Sequence, residues 1–124
     1  MVLQEADAEK LPFDDASFDI VTSSIGVMFT PDQRKAAAEM ARVCRPGGKV
    51  GLANWTPQGF VGEMFKAIGR YVAPPAGAQS PLLWGTHDHL HSLFDDRAAS
   101  INALPRAFMF RYRSAYTLHR YVPT

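Results

Sequence analysis

Between Phe18 and Ser24 the run FDIVTSS is short, β-branched and apolar at both parities, the pattern of a strand covered on both faces in a parallel sheet. The next thirty residues suit a crossover to a parallel neighbour. After IGVMF comes TPDQ, where Thr30 is placed to cap, Pro31 suits the first helical position and Gln33 can reach back to complete a capping box. Ala36, Met40, Val43 and Cys44 then recur at helical spacing as a packing stripe, leaving Arg34, Lys35, Glu39 and Arg42 on the wet side of the wheel. Pro46-Gly47-Gly48 stops the helix. KVGLANW, residues 49–55, reads as a second strand in which Gly51 and Ala53 leave room for close packing by a helix or ligand. Strand, helix and strand make a βαβ unit.

Downstream, Val61, Met64, Phe65, Ile68 and Val72 recur at helical intervals and predict an amphipathic helix. A loop over 74–81 (PPAGAQSP) comes after it. A short helix is expected from Thr86 through HDHLHSLF to Asp95-Asp96. In RAFMFRYR (106–113), Phe108, Phe110 and Tyr112 alternate with Arg111 and Arg113, which predicts an edge or antiparallel strand. The tail from Ser114 is weakly patterned. With 47% hydrophobic and 20% charged residues among 124, the chain has the composition of one globular domain with a real core. Thirteen Lys and Arg against twelve Asp and Glu give a net charge of +1, so no global field draws it to nucleic acid or to an anionic membrane. No apolar run reaches the roughly 18 to 20 residues of a spanning helix. The single Cys44 cannot close an intrachain disulfide, and no signal-peptide pattern opens the sequence, so a cytoplasmic location is expected.

DAEKLPFDDASFDIV, the capped helix, RVCRPGGKVGLANW and GTHDHLHSLF together resemble the second half of a class I S-adenosylmethionine-dependent methyltransferase domain of the type 11 kind, through about Phe110. The resemblance implies an α/β fold: a partial Rossmann-like three-layer sandwich, mostly parallel, with helices on both faces, lacking the first strands of the full domain. Residues 1–124 then form a single methyltransferase-like domain truncated at its start. The resemblance implies S-adenosylmethionine as cofactor. It places Asp7 against the adenine amine, the Ala8 backbone amide against the ring, and Leu11 and Phe13 beside the nucleoside. Ser23, Ser24 and Ile25 fall at the methionine end, on the carboxyl edge where open α/β sheets bind ligands. Met28, Phe29, Trp55, Phe60 and Met64 are candidates for a pocket holding a small, partly apolar acceptor. The family's glycine-rich loop is absent: no G-x-G-x-G occurs, and Gly47-Gly48 follows a helix rather than a strand.

Plainer readings stand beside these. Asp7 also suits a solvated turn, and Ser23 and Ser24 can equally satisfy backbone groups at a strand end. His87 and His91 sit four apart and could share a helix face. His89 points elsewhere and no His-Glu-x-x-His pattern is present, so the expectation is an exposed helix face and no metal. Cys44, on the apolar stripe, reads as an inert buried thiol. Arg106, Arg111, Arg113 and Arg120 lie near aromatics, but strand alternation accounts for Arg111 and Arg113, and no nucleic-acid or membrane partner is expected. The functional expectation is methyl transfer to an unidentified small molecule by the complete domain, with no catalytic residue assignable and the activity of this chain alone open. The alternative is a non-catalytic half-domain that serves as an oligomeric or interaction module. An uncovered edge beside Ile20 and Val21 further predicts a homo-oligomer, most simply a two-fold dimer, unless N-terminal residues cover it.

Overall fold

The computed structural model describes residues 1–114. In chain order it runs β1 (Phe18–Ser24), a 3₁₀ turn (Gly26–Phe29), α1 (Gln33–Val43), β2 (Cys44–Ala53), α2 (Gly59–Gly69), a second 3₁₀ turn (Pro81–Gly85) and α3 (His87–Phe94). β1 and β2 pair in parallel as a two-stranded sheet, from Ile20 opposite Lys49 to Ser24 opposite Ala53. Parallel neighbours cannot share a tight hairpin, and α1 is the crossover that joins them. This is a partial Rossmann-like α/β arrangement, as the resemblance implied.

The core gathers where α1, α2, α3 and the two 3₁₀ turns converge: Val27, Met28, Ala36, Ala37, Met40, Val61, Leu82, Trp84, Leu93 and Phe94 are buried in one cluster. Met28, Ala36, Ala37 and Trp84 are wholly enclosed. Gln33 is the buried polar residue among them. Its amide nitrogen donates to the Ser80 carbonyl at 3.1 Å, and its amide oxygen meets His89 Nε2 at 2.6 Å. Since that oxygen can only accept, Nε2 carries the proton. Burial, with Arg34 nearby, lowers the His89 pKa and favours the neutral ring.

Several expectations are corrected. Asp32, not Thr30, caps α1: its carboxylate accepts from the Lys35 N–H at 3.1 Å, while the Thr30 hydroxyl donates to the Val27 carbonyl. Gln33 is drawn into the core instead of closing a capping box. α1 ends at Val43, so Cys44 opens β2, half-buried, with its thiol 3.7 Å from the Lys49 carbonyl. Pro46-Gly47-Gly48 therefore lies within β2, where the register jumps: Phe18 faces Cys44, yet Ile20 faces Lys49. Gly47 takes φ +79°, and a Cβ on Gly48 would sit 2.6 Å from the Asp19 carbonyl oxygen, so the bulge needs both glycines.

β1 is not covered on both faces. Ile20 is 63% exposed, because β2 is the only strand beside β1 among the described residues and no element covers its far side. Ile68 and Val72 are exposed as well, since α2 packs through Val61, Met64 and Phe65 and ends at Gly69. Residues 106–113 form no strand and pair with neither β1 nor β2: Phe110 turns inward while Phe108 and Tyr112 stay exposed. Arg120 lies outside the described residues. His89 is half-buried rather than on an open face, whereas His87 and His91 are exposed.

Burial separates two substitutions of similar size. Leu93→Ala, at a 1% exposed position, is expected to cost about 2 to 5 kcal/mol in chemical denaturation. Ile20→Ser, on the open strand, is expected to cost within about 0.5 kcal/mol. Equal losses would place Ile20 in a buried contact.

Candidate functional site

The loop before β1 is held by side chains of α1. Arg42 donates from Nη1 to the Phe13 carbonyl (2.8 Å) and the Asp15 carboxylate (2.8 Å), and from Nη2 to the Leu11 carbonyl (3.1 Å). It also grips both carboxylate oxygens of Glu39, at 2.8 and 2.9 Å. Glu39 in turn accepts from the Leu11 N–H at 2.7 Å. The Arg42 carbonyl accepts from the Ala16 N–H at 2.9 Å. Helical pattern alone puts these two residues on the wet face. The loop covers them, and the Glu39 side chain retains 17% of its exposure. Bonding to the guanidinium and to Leu11 holds the Glu39 carboxyl below its ordinary range, and the contacts with Glu39 and Asp15 raise Arg42.

Pinned in this way, the loop forms one wall of an apolar groove of about 460 Å³. Ala8, Leu11 and Phe13 line that wall, Phe18, Ile20, Val21, Thr22 and Ser23 supply the strand side, and Val27, Met40 and Val43 lie along the base. Phe13 and Phe18 meet edge to face at 5.0 Å. Of the six cofactor candidates, Ala8, Leu11 and Ser23 line this groove; Asp7, Ser24 and Ile25 do not.

The exposed Asp7 closes an Asx turn, its Oδ1 accepting from the Glu9 N–H at 2.8 Å, and Oδ2 has no hydrogen bond among the described residues. The Ala8 N–H likewise carries none among them. Asp7 precedes the groove-lining Ala8 in the chain but does not itself line the groove. Ser23 Oγ accepts from the Val27 N–H at 3.0 Å and thereby starts the first 3₁₀ turn. Ile25 sits at φ +70°, a costly conformation for a β-branched residue, while its N–H donates to the Ala53 carbonyl at 2.7 Å. The Ser23 hydroxyl is thus committed locally, and the chain turns sharply at the carboxyl edge of the sheet.

The acceptor candidates separate. Met28 is wholly buried in the core and does not line the groove, because the first 3₁₀ turn directs it inward. Phe29 is half exposed and contacts Phe65 of α2. Trp55 and Phe60 are brought together by Phe110, at 5.3 and 5.1 Å, and Met64 packs against the core. Sequence reasoning missed Phe110 as a partner for these rings. It also missed the Glu39–Arg42 clamp, whose one local signal is the opposite-charge pair at i,i+3. Among the described residues no group of three His, Cys, Asp or Glu side chains could hold a metal ion, and His91 is engaged by Asp95 at 2.6 Å.

Residues 1–52, which contain the loop, the clamp and both strands nearly to the end of β2, match the family model described as a methyltransferase domain. The first 52 residues of the chain are thus methyltransferase-domain-like in sequence. An uncharacterised protein of Mycobacterium tuberculosis is 48% identical over 99 residues, covering 79% of this chain and 36% of the relative. The demethylmenaquinone methyltransferase of Deinococcus radiodurans is 40% identical over 77 residues, covering 60% of this chain and 32% of the relative. A Thermotoga maritima crystal structure, described as a SAM-dependent methyltransferase and possible histamine N-methyltransferase, shares the fold. It has a TM-score of 0.57 at 22% identity, over 74% of this chain and 42% of that one. The chain thus spans well under half the length of these relatives.

The clamp carries a pH dependence. Glu39 has a lowered pKa in the folded state, so its contribution to stability is complete above the unfolded glutamate value of about 4.3 and is lost as pH falls through the folded value. Glu39→Gln is expected to destabilise the chain at neutral pH and to flatten the acid limb of the denaturation midpoint against pH. An unchanged acid limb would show that Glu39 is not clamped.

Proposed function

We propose that this chain forms the adenine-side part of an S-adenosylmethionine site and that the complete protein transfers a methyl group to a small, partly apolar acceptor. The observation that carries the reading is the apolar groove walled by Ala8 and Leu11, with Asp7 directly before Ala8 in the chain, inside the residues that match the family model. A bound sulfonium supplies an already activated methyl group, so little covalent help is needed from the protein. Here Asp7 accepts from the adenine amine, Ala8 donates its amide to the ring, and Leu11 and Phe13 flank the nucleoside and exclude water. Ser23, Ser24 and Ile25 border the methionine end, where the sharp turn at Ile25 keeps the strand end open. Phe29, Trp55, Phe60 and Met64 are the acceptor-side residues, which align a nucleophile by packing alone.

The family match favours this reading over a non-catalytic interaction module. Calorimetric titration of the 124-residue chain with S-adenosylhomocysteine tests it. Saturable heat is expected, and Asp7→Ala should weaken binding about tenfold, the loss of one charge-assisted hydrogen bond. No heat with the parent chain, or equal affinity in the variant, would overturn the assignment of this groove.

A further inference from the structure

From Ala98 to Arg113 the chain holds three arginines, Arg106, Arg111 and Arg113, and no Asp or Glu. All three are exposed, and none forms an ion pair among the described residues. Interleaved with them, Leu104 (67%), Phe108 (69%) and Met109 (68%) are left in water. A run of large apolar side chains rimmed by charge of one sign marks an interaction surface. The run is also anchored. Phe110 turns inward onto Trp55 and Phe60, and Phe108 stacks edge to face on Phe110 at 5.1 Å, so the neighbours of Phe110 project from a fixed point.

We propose that residues 104–113 form a peripheral docking surface for a membrane carrying anionic phospholipid headgroups. Charge complementarity selects that partner: the positive charge is concentrated here although the whole chain carries only +1. Arginine stems lie along the interface with their guanidinium groups at headgroup phosphates, while Leu104, Phe108 and Met109 enter the acyl boundary. Single-stranded RNA is the poorer partner. It is held largely by stacking of bases on rings, whereas two of the three most exposed apolar side chains here, Leu104 and Met109, have no ring to stack on. No helix among the described residues is long and apolar enough to cross a membrane. The surface stands independently of the methyl-transfer reading.

Co-sedimentation of the 124-residue chain with vesicles tests it. Binding is expected to vesicles containing about one-third phosphatidylglycerol and not to phosphatidylcholine alone, and to weaken with added salt. Combined Arg106→Gln, Arg111→Gln and Arg113→Gln should reduce binding at least tenfold, as should Phe108→Ser with Met109→Ser. Ile20→Ser, which removes an exposed apolar side chain elsewhere, should leave it unchanged. Circular dichroism of each variant confirms that the chain remains folded. Absence of vesicle binding, equal binding to neutral vesicles, equal loss in Ile20→Ser, or displacement of vesicles by a single-stranded RNA oligonucleotide would each overturn the proposal.

Discussion

One guanidinium decides whether this chain has a groove at all. The loop before β1 has little regular structure of its own: an isolated bridge between Asp7 and Lys10 and a turn at Asp7. Without an external hold such a segment samples many conformations, at an entropic cost of order 1 kcal/mol for each residue it must order. Arg42 supplies the hold by donating to two loop carbonyls and to Asp15, while Glu39 fixes the guanidinium and accepts from Leu11. The fork geometry of arginine matters, because a lysine offers no planar pair of donors for Glu39 and the loop together.

The sheet answers to a second constraint. A parallel pair puts the ends of both strands at one edge, so Ser23, Ser24 and Asn54 emerge together, and the chain must leave that edge without blocking it. Ile25 at φ +70° makes the turn, and the Val27 N–H bonded to Ser23 Oγ turns the chain directly into the 3₁₀ turn whose Val27 and Met28 enter the core. At the other end of the pair, the bulge at residues 45–48 lets β2 begin immediately after α1, with no separate connection. Strain and glycine thus appear where the strand path changes direction, and the positions of the core residues depend on those directions.

What the sequence made legible is what local pattern controls. The bounds of β1, the α1 stripe at Ala36, Met40 and Val43, the α3 segment and the parallel unit all rest on periodicity and flanking signals, and they match. The departures have a common origin in contacts remote in sequence. Gln33 leaves its capping role because Ser80 and His89 offer it partners in the core. Glu39 and Arg42 are polar by type, which assigns them to water, yet the loop some thirty residues earlier covers them. Alternation in 106–113 suits a strand only if a sheet edge is beside it; here Phe110 finds Trp55 and Phe60 instead. In the site, loop residues Ala8 and Leu11 line the groove, whereas Met28 is buried in the core, because helical direction and not sequence proximity decides which way it points.

The groove and the uncovered strand share side chains, and this couples ligand affinity to whatever lies beside β1. Ile20 and Phe18 line the groove and are also among the exposed large apolar residues, at 63% and 39%. Pockets that hold small molecules tightly enclose most of the ligand surface, whereas a groove open on its strand side leaves part of any bound molecule in water. Covering β1 would add apolar contact to the same ligand and remove the cost of exposing Ile20, so the two events reinforce each other thermodynamically. By linkage, on the proposed reading, a nucleoside held against Leu11 and Val21 would favour a covered β1 by the same factor by which covering would favour the nucleoside.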